Sequence, residues 1–181
     1  RWPRTVVLVA LIEGAVGFGV LAIWPTHLNL RHGLSLGASG AIVALYGVGA
    51  VLYMLTARHW IVRLGERGLT LLGTGSVAAC ALLFVLTPRW WLTLPAAFFA
   101  GFGFFMFHNT MQTHATQMAP QARGTGVSMF AAALFTGQSL GVFGATQRAQ
   151  RIDTGPVIAI GGAMLLALGG WFAWRLRRRG H

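Results

Sequence analysis

Residues 5–24 read TVVLVALIEGAVGFGVLAIW, an apolar run with one charged side chain, Glu13, and with Pro25 following as a stop. A helix crossing about 30 Å of hydrocarbon needs about 20 residues at about 1.5 Å each. A soluble protein could bury one such run in its core, so the rest of the chain decides. Five more runs follow, at 37–57, 69–86, 91–112, 125–147 and 155–174. Pro88 closes the third, Pro95 falls in the first turn of the fourth, and Pro156 opens the sixth, positions that helices tolerate. The alternation of apolar and polar residues that a membrane β-strand requires is missing from all of them. Six runs in 181 residues leave almost no polar spacing. The expected fold is an all-α membrane protein, 1–181 forming a single bundle of six transmembrane helices. With five spans behind it, the first run does not read as a cleavable signal peptide.

Composition agrees. Apolar residues make up 55% of the chain and charged ones 9%, with a mean hydropathy of +0.64. Soluble domains carry about 25% charged residues, so polar groups here are too few to cover a globule. The net charge of +11 comes from fourteen arginines and no lysine, scattered between apolar runs. That pattern argues against nucleic acid as a partner, which would need a solvated basic face. It suits a chain whose loop arginines fix its orientation in a bilayer. With the amino terminus in the cytoplasm, ten arginines (Arg1, Arg4, Arg58, Arg63, Arg67, Arg123, Arg175, Arg177, Arg178 and Arg179) lie inside, and four lie outside. The positive-inside bias thus predicts both termini in the cytoplasm. The lone Cys80 lies in an apolar run and reads as a packing residue. One cysteine and scattered histidines give no metal site, and no cofactor is expected.

Polar residues are unevenly distributed. The first span holds Glu13, the second Tyr46, Tyr53 and Thr56, the fourth His108, Asn109 and Gln112, and the fifth Ser128, Thr136, Gln138 and Ser139. The third and sixth hold only small or apolar residues along their middles. Buried polar groups in lipid need partners or water. Spans one, two, four and five are therefore expected around a polar interior, with three and six toward lipid, as two triplets.

Three stretches carry a resemblance to a known family: Arg63-Leu64-Gly65-Glu66-Arg67-Gly68 between spans two and three, Met118-Ala119-Pro120-Gln121-Ala122-Arg123-Gly124-Thr125 entering span five, and Phe135-Thr136-Gly137-Gln138-Ser139-Leu140-Gly141 within it. With His108-Asn109-Thr110-Met111-Gln112-Thr113, they resemble the carboxy-terminal half of a major facilitator superfamily transporter of the drug or sugar efflux type. The resemblance implies two inverted three-helix repeats, a missing amino-terminal six-helix half as partner, and alternating access to a small-molecule site between the halves. It implies residence in the cell inner (cytoplasmic) membrane. A start at Arg1 rather than Met fits a piece of a longer chain. The family's loop motif carries an acid where Val62 stands here and a glycine where Arg58 stands. A charge lock is therefore not implied: Arg63, Gly65 and Arg67 belong to the cytoplasmic loop motif, its arginines expected only to set topology, and Pro120, Arg123 and Gly124 to the loop into the fifth span.

Glu13 is the leading candidate for chemistry, because an ionised carboxylate in a span must be protonated, paired or wet. It is expected to couple protons or touch substrate; the plainer alternative is a neutral acid bonded to a neighbouring helix. His108 and Gln112 share a helix face and, with Asn109 and Gln138, are expected to wall the substrate path. Plain interfacial polarity is the competing account and the favoured one for His108. His27, His32, His59 and His114 are expected in loops. Gly37-Ala38-Ser39-Gly40-Ala41 is similar to the nucleophile motif of rhomboid proteases. The histidine that such chemistry needs is missing from 155–174, so no enzyme is expected. The reading is proton-coupled efflux of a small organic solute, with uptake or a non-transporting fragment as alternatives.

Overall fold

The computed structural model describes residues 2–179. Among them the chain is all helical and contains no strand. Five helical runs are long and apolar enough to cross a membrane: Trp2–His32, Leu36–Leu86, Trp90–Gln117, Arg123–Ile152 and Thr154–Arg177.

The first run is composite. Helix α1 (Trp2–Glu13) passes into a π-helical turn, Gly14–Phe18, then into the short α2 (Gly19–Leu21) and α3 (Trp24–His32). Pro25 was expected to close the span, but it sits in the first turn of α3 instead, where its missing N–H costs nothing. Gly33, at φ 67°, ends α3 in the left-handed conformation that suits glycine. Ser35 then caps α4 (Leu36–Leu86) by accepting the Ala38 N–H at 3.1 Å.

A straight helix of the 51 residues of α4 would reach about 76 Å at 1.5 Å per residue, well over twice the thickness of the hydrocarbon. It breaks at Gly65, whose φ of 60° and ψ of 177° only glycine adopts without strain. A loop was expected over 63–68; a single residue does the work, with helix on both sides. Residues meeting across the bundle define its two ends. At one, Glu66 pairs with His114 of α5 (Thr93–Gln117), and Trp2 packs on His114 and on Phe172 of α7 (Thr154–Arg177). At the other, His27 bonds Thr154, and Gly155 faces Val85. The two arms of α4 therefore run between these ends in opposite directions. Trp2 also lies under Arg179, so both described ends of the chain come together at one end of the bundle.

The helices extend beyond their apolar cores, which moves four histidines. His27 and His32 lie in α3, His59 in α4 and His114 in α5, none of them in the expected loops. His27 Nδ1 lies 2.8 Å from Thr154 Oγ1. Asp153 caps α7 by accepting the Thr154 N–H at 2.6 Å and its hydroxyl at 3.1 Å. These bonds hold the Asp153 carboxyl below the usual carboxylate range.

Small residues decide where backbones meet. Along the contact of α1 with α6 (Arg123–Ile152), a Cβ at Gly137 would run into the Leu11 carbonyl, one at Gly141 into that of Ala15, and one at Gly14 into that of Leu134. Close seams of this kind are the usual way helices associate in lipid, where no hydrophobic gain separates one neighbour from another. The core alongside is aromatic, with Phe84, Phe104, Phe107 and Phe172 fully buried. Spans three and six, expected toward lipid, each also turn one face into the bundle. The second arm of α4 buries Leu69, Gly73, Val77, Ala81 and Phe84, and α7 buries a broad face; α6 is the least covered of the five long helices.

Candidate proton and substrate site

Glu13 ends α1, fully buried, at the point where the helix widens into the π-helical turn. Such insertions are frequent at functional sites. Its Oε1 lies 2.8 Å from Nδ1 of His108 on α5, a residue 95 positions away and itself buried. Gly14, next in sequence, lets the backbone press against Leu134 and Gln138 of α6. Four phenyl rings surround the imidazole: Phe104 stacks at 5.8 Å, and Phe18, Phe105 and Phe130 lie within 6.3 Å.

The same imidazole lines an open cavity of about 560 Å³, together with Phe18, Gln112, Thr116, Phe130 and Gln138. His108 thus stands between a carboxylate that does not line the cavity and a space that admits water or a small molecule. Among the described residues, Glu13 Oε2 has no hydrogen-bond partner, nor has the hydroxyl of the buried Tyr46. A buried carboxylate and imidazole at hydrogen-bond distance form an acid–base pair, and in apolar surroundings a net charge on such a pair is costly unless a counter-charge or water is at hand. The cavity brings room for water or a small molecule to the imidazole side of the pair.

The structure sorts the other sequence candidates. Gln112 and Gln138 join His108 on the cavity wall. Asn109 turns away and donates to Tyr53 Oη at 3.2 Å, so it belongs to the contact of α5 with α4. His108 is only 6% exposed and has the Glu13 carboxyl as its partner. Arg63 and Arg67 are exposed on either side of Gly65, and Pro120, Arg123 and Gly124 are exposed where the chain enters α6. None of these reaches the cavity. Ser39 is buried, and its hydroxyl has no hydrogen-bond partner among the described residues.

Sequence reasoning missed the phenyl collar, because aromatic residues are common in every span. It also missed the pair of Glu66 and His114, with Nε2 and Oε2 3.3 Å apart beside the Gly65 break. The helical position of His114, four beyond Thr110 and six beyond His108, was the available signal.

No family model matches the chain, and no curated protein or solved structure matches it significantly. The class follows from the molecule itself: an all-helical protein with five helices long and apolar enough to cross a membrane, consistent with a helical membrane protein.

Proposed function

We propose that this chain is one half of a proton-coupled secondary transporter of the major facilitator type, exporting a small organic solute. The observation that carries this reading is the buried Glu13–His108 pair, 2.8 Å across, with its imidazole on the wall of a 560 Å³ cavity. A structural hydrogen bond needs no cavity beside it, whereas a coupling site needs both a proton held out of water and a route to it. Counting the two arms of α4 as separate crossings gives six, in keeping with both described chain ends lying at one end of the bundle. Six is the number in half of such a transporter, and the partner half would close the cavity. On this reading both termini face the cytoplasm.

The test uses the full protein in inverted membrane vesicles, with solute movement followed as a proton gradient is imposed and collapsed. Glu13→Gln keeps the hydrogen bond but removes the titrating group. It is expected to abolish gradient-driven accumulation while leaving equilibrium exchange of solute. If accumulation by Glu13→Gln still follows the proton gradient as in the unmodified protein, the coupling role fails.

A further inference from the structure

The end of the bundle where Trp2 meets α7 carries four arginines within five positions: Arg175, Arg177, Arg178 and Arg179. Among the described residues, none of them pairs with a carboxylate. The chain has only three acids: Glu13 is in the core, Glu66 faces His114, and Asp153 lies at the opposite end. Carbonyls at the helix end offset part of this charge, but four cations so close together have no carboxylate partner among the described residues.

Three of the four frame a space. Arg175, Arg178 and Arg179 line a cleft of about 280 Å³ with Trp2, and its walls are almost wholly apolar. The apolar lining comes from the Trp2 ring and arginine methylenes. Stacking orders the guanidinium groups: Arg179 lies 3.9 Å from the Trp2 ring centre and Arg178 4.0 Å from that of Trp174. Arg175 donates from Nη2 to Thr5 Oγ1 at 3.0 Å, tying α7 to α1 beneath the cleft. Arg177, in the same turn, does not line it. Trp171 and Trp174 are exposed nearby, as aromatic residues are at the level of lipid headgroups.

We infer that this cleft holds the upper part of an anionic phospholipid, its glycerol and upper acyl carbons against Trp2 and the arginine stems and its phosphate on the guanidinium edges at the rim. Guanidinium forks match phosphate oxygens, and basic clusters beside membrane helices attract anionic lipids. The apolar walls favour a lipid over free phosphate, which would leave them uncovered. The site lies apart from the Glu13–His108 cavity and does not depend on transport.

The test is native mass spectrometry of the full protein in detergent, with phosphatidylglycerol or phosphatidylcholine of the same chain length added. Preferential retention of phosphatidylglycerol is expected. The double variant Arg178→Gln/Arg179→Gln should lower its retention by more than about 25-fold, which is what the general attraction of two surface arginines alone would account for at about fivefold each, because it also removes the partners of the phosphate. Arg177→Gln removes one charge outside the cleft and should lower retention by no more than about fivefold. All these side chains are exposed or half-buried at a helix end, and unchanged melting temperatures will verify that the variants are folded. Equal retention by the double variant, or equal loss in Arg177→Gln, overturns the site. Displacement of the lipid by excess inorganic phosphate overturns the choice of a lipid.

Discussion

Helices α6 and α7 are neighbours of similar length, yet their uncovered faces differ in chemistry. The exposed positions of α7 along its middle are Ile160, Ala163, Met164, Leu166, Ala167 and Trp171, all apolar. Those of α6 interleave Phe135, Leu140 and Phe143 with Ser128, Thr136, Ser139 and Gln147. Lipid satisfies the first face completely and leaves the hydroxyl and amide groups of the second without partners other than their own helix. Ser139, for instance, donates to the Phe135 carbonyl at 2.9 Å. A face of this mixed kind suits another protein surface or water. It also lies beside the cavity that Gln138 lines. The contrast teaches that exposure alone does not mark a lipid-facing helix; the composition of the exposed face does.

The contrast can be broken at several points. The largest effect is expected behind the cavity wall of α6. His108→Leu leaves the Glu13 carboxyl buried without its partner and should cost about 3 kcal/mol in a thermal-unfolding assay. The double variant Glu13→Leu/His108→Leu should recover part of that loss, since an apolar pair leaves nothing unsatisfied. Next, Gly137→Val drives a side chain into the Leu11 carbonyl and should cost about 2 kcal/mol or separate α6 from α1. On the same helix Gly144 faces open space, as Gly170 does on α7, so alanine at either should stay within about 0.5 kcal/mol. A cost at Gly170 equal to that at Gly137 would erase the distinction between the seam and the free face.

Chemical accessibility sharpens the comparison without large changes in stability. In a Cys80→Ala background, single cysteines replace Thr136 or Ser139 on α6, or Ala163 or Ala167 on α7. A membrane-impermeant maleimide should label the α6 positions faster in the absence of a partner half. Co-expression with such a half should slow them, while the α7 positions remain slow throughout. Equal labelling of the two helices would mean that the polar groups of α6 do not mark a wet or protein-covered face.

Hydropathy made the apolar cores of the helices legible, because a long uncharged run has few alternatives. It did not reach their ends. Pro25 and His27 look like a stop and a loop, yet Trp24–His32 continues as helix because Pro suits a first turn and His27 finds Thr154 across the bundle. Residues 63–68 look like a connecting loop, because two arginines, a glutamate and two glycines cluster there. Only Gly65 leaves the helix. Glu13 was visible as an isolated acid, and His108 and Gln112 as residues on one face. Their convergence was not visible, since contacts across 95 residues follow from packing. Asn109 shows the limit of spacing arguments: one position from His108, it serves a different helix pair.

The π-helical turn Gly14–Phe18 separates two anchors, Glu13 on His108 before it and the contacts of Trp24 with Phe84 and His27 with Thr154 after it. Each residue of a helix turns the next by about 100°. The wide turn already spends one residue more than an α-helical turn between these flanks. A further residue inserted there would swing α2 and α3 by about that angle, while α1 stayed in place. Trp24 and His27 would then point away from their partners with every side chain still present. The count of residues between the anchors is thus a structural parameter in its own right. Substitutions within the turn that preserve the count can be absorbed, but an insertion there changes which way half of the first membrane helix faces.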